Sequence, residues 1–158
     1  MDITKLASAY SELLTAAEAI TPDTALVPET RADVDWRLCH IALADEIIAN
    51  AARDQITGYP PVIDNQPSMD PYRITSTISA TSHPQRVDSV RRNWVELQSI
   101  LTIFTALDAD AQLKLRIHDR DGAYMNDSTM TWSALIGLRA SQHIPGHRDA
   151  LVQALARH

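Results

Sequence analysis

The chain has few of the residues that mark several common protein classes. Its 158 residues include a single cysteine, Cys39, which excludes an intrachain disulfide. Only four glycines occur, and none belongs to a loop that could cradle a phosphate. No apolar run approaches the roughly 18 residues of a transmembrane helix, and the first residues lack the pattern of a signal peptide. We therefore expect a soluble, cytoplasmic protein without a membrane span.

Positive charge is also scarce. The 14 lysines and arginines are outnumbered by 20 aspartates and glutamates, which gives a net charge of −6. A protein that binds the phosphate backbone needs a basic face, and the adjacent Arg91 and Arg92 are too small a patch. We expect no nucleic-acid partner. The length predicts one domain over 1–158, large enough to bury a core without a structural metal.

Apolar residues recur at helical spacing over most of the chain. The proline-containing stretches 21–32 and 57–71 are predicted as connections, and 72–80 as a short helix that begins after Pro71. The predicted long helices span 2–20, 33–56, 84–107 and 128–157. This pattern predicts an all-α four-helix bundle.

The segment just before the last helix has a different pattern. Leu113, Leu115 and Ile117 alternate with polar residues, and Asp121-Gly122 follows as a turn signal. This pattern predicts a short β-hairpin or an extended loop over 113–127.

Histidines on two of the predicted helices form a candidate metal site. His143 and His147 stand four residues apart on the apolar stripe of the last helix, and His40 lies on the inward stripe of the second long helix. Buried imidazoles need a partner, and neutral imidazole is a good ligand for zinc, nickel, copper or iron. Three protein ligands leave an open coordination position, as in catalytic zinc sites. The alternative is that His143 and His147 are ordinary core histidines.

Two features near this histidine pair affect its chemistry. No glutamate stands between the two histidines, so the His-Glu-x-x-His pattern with its general base is absent. Pro145 does stand between them, where it would free the carbonyl of Ser141 and bend the helix. We expect that bend to change how the rings converge, and the alternative is that packing on both sides merely tolerates the proline.

Other residues are weaker candidates for the site. His118 could reach the open coordination position from its loop, Trp36 could line the pocket, and Arg139 could bind an anionic cofactor. The alternatives are an exposed loop histidine, a core tryptophan and an ordinary surface arginine. His83 and His158 are predicted on the surface.

Two segments resemble a known family. Residues 34–46, VDWRLCHIALADE, resemble the second helix of the DinB-like superfamily. Residues 130–151, MTWSALIGLRASQHIPGHRDAL, resemble its last helix. The resemblance implies a four-helix bundle with a metal held by three histidines, here His40, His143 and His147. It also implies thiol-dependent S-transfer or isomerisation, as in mycothiol-dependent maleylpyruvate isomerases and bacillithiol S-transferases.

On this resemblance we expect a metal-dependent enzyme that uses a low-molecular-weight thiol to transform a small electrophile. The expected cofactors are a divalent metal, zinc ahead of nickel or iron, and the thiol itself. A coordinated thiol is deprotonated, which makes it a nucleophile. The alternatives are a non-enzymatic metal-binding or interaction protein and a pathway enzyme with a non-thiol substrate. The expected partners are a small-molecule substrate and neither nucleic acid nor membrane, with a homodimer left open.

Overall fold

The computed structural model describes residues 1–156, so His158 lies outside the described residues. Helices make up most of this part of the chain. The helical elements are α1 (Thr4–Ala19), α2 (Pro28–Thr57), α3 (Gln66–Met69), α4 (Pro71–Ala80), α5 (His83–Thr102), α6 (Ala106–Asp110), α7 (Trp132–Leu138), a π-helical turn (Arg139–His143) and α8 (Ile144–Ala156). The strands are β1 (Val62–Asp64), β2 (Gln112–His118) and β3 (Tyr124–Thr131).

The helix ends follow local capping chemistry. Pro28 takes a first-turn position in α2, which therefore begins inside the stretch predicted as a connection. Gly58 ends α2 with a left-handed φ of 83° that few other residues adopt. Ser82 and Gln85 form a reciprocal capping box at the start of α5.

The predicted all-α four-helix bundle is wrong, because the structure contains a three-stranded mixed sheet and several short helices. Strand β2 lies in the centre, parallel to β1 and antiparallel to β3. Leu115 pairs with Ile63 on one side and with Ser128 on the other. The hairpin expected before the last helix is therefore present. However, the predicted loop 57–71 supplies the edge strand β1 and the helix α3.

The core lies between the long helices and one face of the sheet. Helix α2 packs along α5, while α1 packs against both α5 and α8. Apolar side chains of β1 and β2 join this core, among them Ile63, Leu113 and Leu115. The sheet thus covers one side of the helical layer and stands opposite the middle of α2. Among residues 1–156, no helix combines the length and the hydropathy that crossing a membrane requires.

Candidate metal centre

His40 occupies a buried position in α2 and is held from two sides. Trp36, one turn earlier on the same helix, stacks on its ring with centroids 4.8 Å apart and planes at 10°. Its Nδ1 lies 2.9 Å from the carbonyl oxygen of Ser68 in α3. A carbonyl oxygen can only accept, so Nδ1 carries the proton and Nε2 keeps a lone pair for a ligand.

The π-helical turn places the other two histidines. His143 ends this turn, and Ile144 N–H donates to the carbonyl of Arg139, five residues back. Pro145 follows at once and has no N–H to donate to Ser141. The wider π-helical turn rotates the side chains that follow it around the helix axis. It does so just before Pro145, which cannot make the ordinary α-helical hydrogen bond. π-helical turns of this kind occur frequently at functional sites.

The three histidines that the sequence singled out lie together. One ring nitrogen from each of His40, His143 and His147 falls within 4.8 Å of the other two. The ring centroids are 5.5 Å apart for His40 and His143, 5.3 Å for His40 and His147, and 4.7 Å for His143 and His147. Two distant parts of the sequence therefore supply one compact set of imidazoles.

These imidazoles are neutral at neutral pH. Burial lowers the pKa of His40 to about 4, and the carbonyl of Ser68 opposes this shift only in part. Burial lowers the pKa of His143 to about 2 and that of His147 to about 3. The positive charge of Arg139 lowers all three pKa values further. Neutral imidazole is the form of histidine that binds a metal ion.

The donor set fits a divalent transition metal. Nε2 of His143 is buried and has no hydrogen-bond partner within residues 1–156. A buried polar atom without a partner costs free energy, and a cation shared with the other two rings would satisfy it. The cluster contains no cysteine and no carboxylate. Three imidazoles suit zinc, nickel or iron better than calcium or magnesium, which prefer oxygen ligands.

Two arginines border the cluster on the side of Trp36. Arg37 places NH1 3.2 Å from Nδ1 of His147, and because a guanidinium only donates, this nitrogen accepts. The single proton of the neutral His147 ring is then on Nε2. Arg120, from the β2–β3 turn, lies 4.0 Å above the Trp36 ring. Asp33 accepts hydrogen bonds from both arginines. Metal binding therefore requires His147 to give up either its hydrogen bond to Arg37 or its proton.

A cavity of about 380 Å³ opens beside the histidines, between α2, the sheet and α7. His40 and His143 line one part of it, and most of the remaining wall is apolar. A larger depression of about 500 Å³ lies over β2 and β3, but no histidine lines it. The smaller cavity is therefore the one from which a substrate could reach the cluster.

Arg139 lines the same cavity, and the alternative of an ordinary surface arginine is wrong. It is 4% exposed and forms a buried ion pair with Asp45, which is fully buried. Tyr10 donates to the same carboxylate at 2.5 Å and accepts from Arg139 at 2.6 Å. The partners of Arg139 lie on α1 and α2, far away in the sequence, so local patterns carried no sign of its burial.

The remaining candidates lie outside the cluster. The His118 ring contacts Asp64, Asn65 and Tyr124 on the sheet, and the structure does not bring it to the other histidines. His83 is buried, contrary to prediction, because the start of α5 packs against α1 and its Nε2 lies 3.0 Å from the carbonyl oxygen of Ala17. Cys39 is a small buried side chain, and burial raises its thiol pKa to about 11.

Protein-family models, curated protein sequences and solved structures give no match for this chain. The resemblance to the DinB-like superfamily therefore stays a prediction.

Proposed function

We propose that the protein is a metal-dependent enzyme in which His40, His143 and His147 hold one divalent cation beside the cavity. The observation that carries this proposal is the convergence within 4.8 Å of three neutral imidazoles, two buried and one half-buried, of which His143 has an Nε2 atom without a partner among residues 1–156. Zinc is the first choice for such a ligand set, ahead of nickel or iron. When bound, the cation supplies Lewis-acid chemistry and lowers the pKa of a coordinated thiol.

The reaction class that we propose is thiol-dependent S-transfer or isomerisation on a small electrophile. The resemblance to the DinB-like superfamily supports this choice, as does the absence of a carboxylate general base from the cluster. In an S-transfer the thiolate sulfur forms a bond to an electrophilic carbon, the leaving group departs, and the thiol proton passes to solvent. A reducing, cytoplasmic location accords with the unpaired Cys39.

The residues of the chain have separate parts in this reaction. Ser68 fixes the tautomer of His40 through its carbonyl, and Trp36 holds the plane of that ring. Hydrogen bonds of this kind orient the ligands of a metal and influence its affinity. The apolar wall excludes water from the face of the site that the substrate approaches.

Cobalt titration and thiol turnover test the proposal together. We expect the metal-free protein to bind one Co²⁺ per chain, with the absorption of a nitrogen-ligated site. The metal-loaded protein should accelerate the conjugation of a low-molecular-weight thiol with an aryl halide. His143→Ala should lose both properties and keep its helical circular dichroism, since water can fill the small polar gap.

His118→Ala is the matched control, because it removes a histidine that lies outside the cluster. It should bind Co²⁺ as the parent does. Equal Co²⁺ affinity of His143→Ala and the parent would refute the metal centre. Tight metal binding without any thiol turnover would leave the metal centre standing and favour a metal-binding protein or a non-thiol substrate.

A further inference from the structure

The cavity beside the histidines has a strongly apolar wall. Ile47 and Ile48 of α2 face Leu115 and Ile117 of β2 across it, and Leu135 of α7 closes another side. Its volume of about 380 Å³ is at the low end of the range for small-molecule sites, which is about 300–1,000 Å³. Such a space suits a compact body, for example one aromatic ring or a branched alkyl group.

Two polar side chains on this wall, those of Asn65 and Ser68, already have partners within the protein. The Asn65 amide exchanges two hydrogen bonds with the backbone of His118, at 2.6 and 3.1 Å. The Ser68 hydroxyl donates to the Asn65 carbonyl at 2.9 Å. Because Asn65 and Ser68 are already engaged, a sugar or peptide group in the cavity would lose more hydrogen bonds to water than this wall can replace, which is costly.

Two nitrogen atoms in or next to the metal-ligand cluster have no hydrogen-bond partner among residues 1–156. Nε2 of His143 has no partner within the described residues, and Nε of the buried Arg139 has none either. Both residues line the cavity. The His143 nitrogen is the one that a cation held with the other two imidazoles would satisfy.

The charge at this end of the cavity is positive once a metal is present. The positive charge of Arg139 is balanced by its ion pair with Asp45. The three imidazoles are neutral and balance none of the two positive charges that a divalent cation brings. An uncompensated charge beside an apolar wall is unfavourable, and an anionic ligand reduces that cost.

We propose that the cavity takes a compact apolar molecule with a single anionic head group, a carboxylate or a thiolate, directed toward the three histidines. This inference rests on the proposed metal centre and adds the chemical class of the ligand. The hydrophilic portion of a sugar- or peptide-bearing thiol does not belong in this cavity, so the cavity holds the smaller substrate.

Binding of simple probes to the Co²⁺-loaded protein tests the inference. Phenylacetate has the apolar body and the anionic head, acetate lacks the body, and 2-phenylethanol lacks the charge. We expect phenylacetate to bind at least tenfold more tightly than either of the others and to perturb the cobalt absorption. Phenylmethanethiol, compared with phenylacetate, shows whether a thiolate or a carboxylate is preferred. Equal affinity for phenylacetate and acetate, or for phenylacetate and 2-phenylethanol, would overturn the inference.

A cavity-filling variant locates the probe. Ala44→Phe places a ring in the cavity from α2 and should weaken phenylacetate binding at least tenfold while Co²⁺ still binds. Ala134→Phe adds the same ring at an exposed position of α7 and should change neither. Unchanged phenylacetate affinity in a folded Ala44→Phe protein would contradict the assignment to this cavity. If Ala44→Phe does not fold, the affinities of the parent protein for phenylacetate, acetate and 2-phenylethanol still test the ligand inference.

The two proposals fail in different ways. A protein that binds no Co²⁺ refutes the metal centre, and the ligand inference falls with it. A protein that binds Co²⁺ through His143 but does not prefer phenylacetate refutes the ligand inference alone.

Discussion

At the scale of single residues, one of the three histidines has a hydrogen bond that is unusual for a metal ligand. Most metal-binding histidines donate their second ring nitrogen to a carbonyl or a carboxylate, as His40 does to Ser68. His147 instead accepts a hydrogen bond from Arg37, a cation. Arg37 therefore competes with a metal for His147 and adds a positive charge close to the site.

Removing this competitor should tighten metal binding. We expect Arg37→Met to raise the Co²⁺ affinity about tenfold at pH 7, which is the lower end for a hydrogen bond to a charged group. Isothermal titration of the metal-free protein with Co²⁺ measures the change. Arg120→Met is the matched control, because Arg120 shares the Asp33 carboxylate but stacks on Trp36 and does not contact His147. A weaker Co²⁺ affinity of Arg37→Met would mean that Arg37 positions the His147 ring.

At the scale of secondary-structure elements, the last helix shows how a proline is accommodated between two ligands. The sequence predicted that Pro145 would bend this helix. The structure has a π-helical turn from Arg139 to His143, directly before Pro145. The turn uses a hydrogen bond to Arg139 and separates the ring centroids of His143 and His147 by 4.7 Å.

Replacing this proline tests whether it sets the positions of the rings. Pro145→Ala restores an N–H that can donate to Ser141, so the ordinary α-helical pattern becomes available. We expect Co²⁺ affinity to fall severalfold, while the free energy of unfolding in urea stays the same or rises. Pro84→Ala, in the first turn of α5, changes a proline whose N–H is not needed there and should leave metal binding unchanged. Unchanged Co²⁺ affinity in Pro145→Ala would show that the helix merely tolerates the proline.

The same scale shows what could be predicted from the sequence. Local periodicity was sufficient for α1, α5 and most of α2, and for the three histidines, because each lies on an apolar stripe. It failed for β1, since Val62–Asp64 is stabilised by parallel pairing with β2, about 50 residues away. It failed for Arg139 and His83 for a related reason. Their partners Asp45 and Ala17 are on other helices, and a charged or polar side chain without a local partner is usually exposed.

At the scale of the whole molecule, the histidine cluster makes stability depend on pH. The pKa values of His40, His143 and His147 fall from the ordinary 6.5 to about 4, 2 and 3. In the unfolded chain these rings take up protons once the pH falls below about 6.5. In the metal-free native state they stay neutral until the pH is near 4 or lower.

Asp45 acts in the opposite direction. Burial raises its pKa from 3.8 to about 6, against the opposing influence of Arg139 and Tyr10. Over this window the native state takes up a proton before the unfolded chain does, so this single group favours the native state as the pH falls. Three histidines lower the stability of the native state as the pH falls, and one carboxyl raises it. The histidines therefore determine the sign of the net change in the free energy of unfolding.

We therefore expect the free energy of unfolding of the metal-free protein to decrease as the pH falls from 6.5 toward 4.5. Each ring contributes a slope of up to about 1.4 kcal/mol per pH unit, because the unfolded state binds more protons than the native state. Urea unfolding with a chelator at pH 7, 6 and 5 measures this slope. His143→Gln removes one of the three rings and should make the slope shallower, even if its stability at pH 7 differs from that of the parent. A stability that is flat or that rises between pH 6.5 and 5 would contradict a native state in which all three histidines stay neutral, and with it the basis for a preformed metal site.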